Sequence, residues 1–382
     1  MSTQTGNSTR DADVQLLIDL VSTPSVSGSE RAAAEQFVAH AAERGFATDI
    51  DEAGNACAHR GPIDADLHIV MLGHIDTVPG EIPVRIADGV LHGRGSVDAK
   101  GPLCAMLCAA HKAELSERVR LSIIGAVGEE SAGSPGARFL APRLRPDACI
   151  IGEPSGWSGV TLGYKGRLLA TATANCPNHH SAGEDPSAGD RLVAWWTAVS
   201  GHISTFNIER HSAFETLQAT IQSMQSGCDG LAQSASLEAG FRLPPEMHPN
   251  DLARAIESLA GDTVRVECIG LELAHATHRN DPVVRALSSA IRASGGRPRP
   301  TLKTGTADFN VVGPIWNCPI AAYGPGDSSL DHTPLERIAL DEYARSIDVL
   351  ATATASLAAE LSSARQEPAA LSVELRPQHD QI

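Results

Sequence analysis

The chain has no long apolar run. Nothing in its 382 residues approaches the roughly 18 consecutive apolar positions that mark a membrane-spanning helix, so no membrane association is expected. The N-terminal MSTQTGNSTRDAD is polar and carries no apolar signal core, which points to the cytoplasm. Positive charge is also scarce. Only 30 Lys and Arg face 46 Asp and Glu, a net charge of −16. That balance argues against a general nucleic-acid binder, which needs a basic face, while leaving room for a local basic patch. The 8 cysteines include no Cys-x-x-Cys pair, and disulfides are not expected in a reducing compartment. Cys104 and Cys108 lie four apart in an expected helix and read as small buried hydrophobes. No internal repeat is visible.

What is present is a chain of ordinary globular composition, 42% hydrophobic and 20% charged, long enough for two or three domains. Apolar positions recur every three to four residues over 14–21 and 30–42, which predicts helices. Residues 67–72 (LHIVML), 121–127 (LSIIGAV) and, more briefly, 148–151 are nearly continuous apolar runs. Such runs suit strands buried on both faces. With a helix expected over 102–115, strands alternate with helices. That pattern predicts an α/β layered domain around a mostly parallel sheet.

The character changes after Gly163-Tyr164-Lys165-Gly166. Residues 168–174 alternate like a half-exposed strand. Further strands are expected near 214–221, 234–241 and 263–268, with helices over 190–200 and 250–259. These elements fit a small α+β sandwich. From His275 the helix, strand and Gly-rich loop pattern returns, ending in a helix expected over 335–361. The simplest organisation is a catalytic domain over 1–164 and 275–382, interrupted by a smaller unit over 165–274. Residues 1–12 and the Gln-, Pro- and charge-rich 363–382 are expected to be flexible.

The most informative stretch is 71–101. His74 and Asp76 follow the apolar run at 67–72, and strand alternation puts them on one side. An imidazole at a buried strand end is a rigidly held zinc ligand, and a carboxylate two residues on can accept its second ring N–H. Asp98 sits in GRGSVDAKG, among glycines that permit tight turns and close backbone approach. A carboxylate there can bridge two metals. Glu129 and Glu130 follow LSIIGAV and point in different directions, so one can bind metal while the other faces water as general base. Glu153 follows the run at 148–151, and His332 lies in GPGDSSLDHTP.

Each feature alone has a plainer explanation. His74 and Asp76 suit a surface turn, Asp98 a helix N-cap, Glu129 and Glu130 a solvated pair, Glu153 and His332 ordinary loops. Together they offer three donors to each of two metals. His74, Asp98 and Glu153 serve one side; Glu130, Asp98 and His332 serve the other. Two divalent cations in such an N/O set would polarise a carbonyl and activate water. The donors suit zinc first, and cobalt as well.

The motifs GHIDTVP, GRGSVDAKG, GEES and GEPS resemble those of the co-catalytic zinc amidohydrolases and exopeptidases. That family includes acetylornithine deacetylase, succinyl-diaminopimelate desuccinylase and glutamate carboxypeptidases. The motifs stand in family order and spacing, and the resemblance runs from about residue 14 to residue 361. It implies a di-zinc catalytic domain with an inserted lid that also forms a homodimer. It implies His74, Asp98, Glu130, Glu153 and His332 as ligands, Glu129 as general base and Asp76 as the group that orients His74. The peptide bond after Asp98 is expected to be cis. His180 in HHSAG matches an oxyanion-stabilising His often supplied across the dimer. Arg242 in FRLPP matches a lid Arg that grips a substrate carboxylate, a task suited to a planar guanidinium. Their plainer alternatives are a loop residue and an exposed strand end.

LGYKGRL, LKTGTADFN and YGPGDSSLDHTPLE resemble a narrower subgroup. Its members release lysine or ornithine from the γ-carboxyl of the C-terminal glutamate of a small acidic amino-group carrier protein. On that resemblance Lys303, Thr304 and Gly305 line the substrate pocket. The expected activity is amide hydrolysis in lysine or arginine biosynthesis. Two other readings stand beside it. One is a deacylase of small N-acyl amino acids, or a dipeptidase, needing no carrier. The other is a non-catalytic metal-binding scaffold on the same fold.

Overall fold

The computed structural model describes residues 2–180 and 182–366. Its larger sheet is organised around the strand Leu67–His74. That strand pairs in parallel with Val119–Ala126 on one side and Ala148–Gly152 on the other, and Ile320–Ala322 extends the parallel set. Antiparallel strands close both flanks. Ala47–Ile50 and Ala56–Arg60 lie beside Val119–Ala126; Gly159–Tyr164 and His275–Ala276 lie beyond Ile320–Ala322. Arg299–Lys303 joins Gly159–Tyr164 in parallel.

The continuous apolar run of the central strand follows from helices on both faces. Ile69 and Met71 enter one core with Leu103 and Leu107 of helix Lys100–Lys112, Leu287 of Pro282–Ala293 and Leu350 of Leu340–Gln366. Val70 and Leu72 enter a second core with Leu140 of Pro135–Leu140 and Val312 and Trp316 of Asp308–Trp316. Period-two alternation sends neighbours to opposite cores, so consecutive side chains from Ile69 to Leu72 are all apolar. Cys104 and Cys108 are buried in the first of these cores.

The smaller sheet is antiparallel throughout, in the order Gln218–Cys228, Ala232–Leu243, Gly166–Pro177, Arg265–Glu272. One face is apolar. Leu168, Ala170, Ala172 and Ala174 pack with Leu192, Trp195 and Val199 of helix Ala188–Phe206 and with Leu252 and Ile256 of Pro249–Ser258. This unit is inserted between Gly159–Tyr164 and His275–Ala276, which are themselves paired.

Several boundaries depart from the sequence pattern. The first helix spans Ser2–Ser22 rather than beginning at residue 14. The helix expected over 335–361 opens as the strand Arg337–Ala339, which pairs with Val90–His92, and only then becomes Leu340–Gln366. The strand expected near 214–221 lies at Gln218–Cys228. Of the C-terminal segment expected to be flexible, 363–366 continue the last helix and 367–382 lie outside the described residues. No described helix is long and apolar enough to cross a membrane.

Candidate active site

His74 ends the central strand and is buried. Its Nδ1 lies 3.0 Å from the backbone carbonyl of Asp76, which fixes the proton on Nδ1 and leaves the Nε2 lone pair facing outward. Nε2 points at Asp98 Oδ1, 3.1 Å away, and at Glu153 Oε1, 4.0 Å away. Asp98 turns its other oxygen to a second imidazole: Oδ2 is 3.1 Å from His332 Nε2. The same His332 nitrogen lies 3.0 Å from Glu130 Oε1. One carboxylate therefore offers one oxygen to each of two imidazoles. The ligand atoms of His74, Asp98 and Glu130 lie within 4.8 Å of one another.

A neutral imidazole lone pair cannot rest against carboxylate oxygens without a positive charge between them. Hydrogen bonds to Asp98 and Glu130 push His332 up to about 10. Burial opposes the charge on His74, yet hydrogen bonds to Asp76 and Asp98 hold it well above the ordinary imidazole range. Burial works against ionised Asp98 too, but His332 and His74 hold it well below the usual carboxylate range. The cluster thus calls for positive charge between its imidazoles and carboxylates. Imidazoles and carboxylates in this arrangement fit a pair of divalent cations.

Two carboxylates hold the cluster in place. Asp76 Oδ1 is 3.4 Å from His74 Nδ1 and accepts the Glu129 N–H at 3.1 Å. Its Oδ2 accepts the Glu130 N–H at 3.0 Å and the Ser27 hydroxyl at 2.7 Å. Asp76 thus orients His74 and also fixes the loop that carries Glu129 and Glu130. Glu336 supports Asp98: Oε1 accepts from the Val97 and Asp98 N–H groups at 2.9 and 3.1 Å, and Oε2 from Arg94 at 2.8 Å. The bond between Asp98 and Ala99 is cis. Sequence reasoning missed Ser27 and Glu336, although Glu336 closes the DHTPLE run.

Burial pushes the Glu129 carboxyl well above the usual carboxylate range; His74 opposes the shift, while Glu153, Asp308 and Glu130 add to it. A carboxyl shifted in that direction suits the role of proton carrier. Burial raises Glu153 to about 8 and Asp308, another residue missed by sequence reasoning, to about 7. Lys303 donates to the carbonyl of Pro154, next to Glu153, so the Lys303-Thr304-Gly305 segment starts at the wall of the cluster. Arg242 donates to Thr306 Oγ1 at 2.9 Å. Burial and Arg167 pull its guanidinium below its usual range, and Glu129 opposes that shift.

The structure therefore brings His74, Asp76, Asp98, Glu129, Glu130, Glu153 and His332 together, with Lys303 and Arg242 nearby. His180 stands apart. It is exposed beyond the strand Gly166–Pro177, where its Nδ1 accepts from the Ala182 N–H at 3.1 Å. No hydrogen bond or ion pair among the described residues joins it to the cluster.

Comparison with known proteins bears on this geometry. The model of peptidase family M20/M25/M40 matches residues 70–356. The chain is 45% identical over 350 residues to the LysW-lysine hydrolase of Deinococcus radiodurans, covering 90% of this chain and 96% of that one. It is 39% identical over 369 residues to a Thermococcus kodakarensis protein provisionally named LysW-lysine/LysW-ornithine hydrolase, covering 94% and 98%. The structure superimposes on an M20 family metallo-carboxypeptidase of Sulfolobus solfataricus with a TM-score of 0.75 at 16% identity, covering 91% and 99%. With the family model spanning most of the sequence and both relatives matched over nearly their whole length, this chain belongs to peptidase family M20/M25/M40.

Proposed function

We propose that this protein is a di-metal amidohydrolase that frees lysine or ornithine from a small acidic carrier protein. The bond cleaved is the amide between the diamino acid and the γ-carboxyl of the carrier's C-terminal glutamate. The observation that carries this reading is the placement of Asp98 between His74 and His332, with half-buried Glu129 alongside, in a chain 45% identical to a LysW-lysine hydrolase. The setting would be lysine or arginine biosynthesis in the cytoplasm.

His74, Asp98 and Glu153 would hold one cation and Glu130, Asp98 and His332 the other, with zinc ahead of cobalt for this donor set. Bound cations supply Lewis-acid polarisation of the amide carbonyl and ease the ionisation of water. Glu129 removes a proton from the attacking water and passes it to the leaving amine. Arg242 pairs with a substrate carboxylate, and Lys303, Thr304 and Gly305 line the diamino-acid side. Residues 1–164 and 275–382 act as the catalytic domain, and 165–274 as lid and dimerisation domain. The open edge of Gln218–Cys228, bonded on one side only among the described residues, supports pairing with a second copy. A dimer would bring His180 to the partner's oxyanion.

The test is mass spectrometry of carrier-linked lysine and ornithine after incubation with zinc-loaded enzyme, with free N-acetyl-lysine and N-acetyl-ornithine alongside. Faster release from the carrier is expected. Equal or faster cleavage of the free acetyl compounds would overturn the carrier reading, and inertness on all four would overturn hydrolysis.

A further inference from the structure

The uncovered face of the smaller sheet carries an arrangement that the reaction above does not use. Arg167 and Arg242 are directly opposite each other on neighbouring antiparallel strands. Like charges in that position repel and destabilise a sheet unless an anion answers them. No carboxylate among the described residues forms an ion pair with either one. Glu272, the cross-strand neighbour on the other side of Arg167, gives its carboxylate to Arg138. Glu238, further along the Arg242 strand, accepts from the Ser223 hydroxyl.

The two guanidiniums open onto a cavity of about 150 Å³, whose remaining polar lining includes Gln218, Thr220 and Gln222. Arg167 Nε is buried and has no hydrogen-bond partner among the described residues. An orphaned donor of a charged group is costly, so the site is built to receive an acceptor. Two irregularities shape it. The register shifts between Ile221 and Ser223, which leaves Gln222 as the extra residue of a bulge. Gly240 leaves room for that side chain, because a Cβ there would sit 2.9 Å from Gln222 Nε2. A second shift, between Ile269 and Glu272, contains Gly270 at φ +62°, beside Arg167. The cavity also adjoins the reaction: Arg167 Nη2 donates to the carbonyl of Ala132 at 3.2 Å, two residues past Glu130.

We infer that Arg167 is a specificity-determining residue that binds a second substrate carboxylate beside the one held by Arg242. This inference rests on the proposed function. The substrate named there has a carboxylate on each side of the scissile amide, one on the diamino acid and one on the carrier's terminal glutamate. Two adjacent guanidiniums match that pair, and a simple N-acyl amino acid would leave one of them unanswered. The carboxylate assigned to Arg167 is the free α-carboxylate of the terminal glutamate.

The experiment compares two peptides ending in glutamate with lysine on its γ-carboxyl. One has the free terminal α-carboxylate and the other a carboxamide in its place. Wild-type enzyme is expected to lose roughly 10-fold or more in kcat/KM on the carboxamide, chiefly through KM. Arg167→Gln should be slow on both peptides and indifferent to the change. Arg167→Lys should keep part of the discrimination, and Arg242→Gln should keep it while losing rate on both. The ratio within each variant separates recognition from damage to the fold. The inference is overturned if wild type does not discriminate, or if Arg167→Gln discriminates as wild type does. A wild type inert on the free-acid peptide and on carrier-linked lysine would instead bring down the proposed function, and this inference with it.

Discussion

The strand ends of the larger sheet and the uncovered face of the smaller sheet meet at one site but are finished to different degrees. At the strand ends the two supporting carboxylates have their answers within the chain. Asp76 alone engages His74, Glu129, Glu130 and Ser27, and Glu336 engages Val97, Asp98 and Arg94. Among the described residues, the uncovered face leaves Arg167 with an unanswered Nε, and beyond it His180 is exposed and Gln218–Cys228 has an open edge. On the proposed reading, chemistry that tolerates little displacement is held by one chain, whereas recognition waits for a substrate or a second copy.

Glu129→Gln should break the first half most severely. A lost general base predicts kcat lower by about 10³-fold, with metal content per chain unchanged by elemental analysis. Turnover above about a tenth of wild type would mean another group moves the proton. His180→Ala tests the second half and should cost about 10²-fold. Mixing His180→Ala with Glu129→Gln chains should then restore turnover, because in the proposed dimer a mixed pair combines an intact Glu129 with the partner's intact His180. No restoration would place His180 within its own chain's site, or outside the reaction. Glu336→Gln should weaken metal affinity by roughly 10-fold while preserving most of kcat at saturating metal. An unchanged titration would make its bonds to Val97 and Asp98 dispensable.

The smallest effect is in pH. Without metal, His332 is raised from its ordinary 6.5 to about 10 by Asp98 and Glu130. That stabilisation is fully present below 6.5 and is lost as pH rises through 10. Chelated protein should therefore show a Tm that declines from neutral to alkaline pH, and metal-loaded protein a flatter one. Parallel curves would show that the His332 pairing contributes nothing to the fold.

The strands Leu67–His74, Val119–Ala126 and Ala148–Gly152 were legible because burial on both faces leaves an unbroken apolar run, with the polar cluster at its end. Gln218–Cys228 was misplaced because an exposed edge has no apolar alternation to read. Arg337–Ala339 was hidden because its short apolar pattern runs straight into a helix. At the site, the residue types and their order pointed to the ligands. The donor set also pointed to Asp98 as the carboxylate shared by both sides; the Glu336 support of the loop that carries it was not legible. Glu336 and Arg167 were missed for the same reason: their partners are backbone groups or cross-strand neighbours distant in sequence.

The insertion has one more consequence. Tyr164 and His275, the residues at its two ends, are hydrogen-bonded neighbours on adjacent strands. Its entry and exit therefore lie one strand spacing apart, about 5 Å. A unit attached in this way can be exchanged for another of different size without altering the distance that the host sheet must bridge. The larger sheet is thus a socket, whose strand ends hold His74, Asp98 and Glu129 independently of the size of the unit plugged into it.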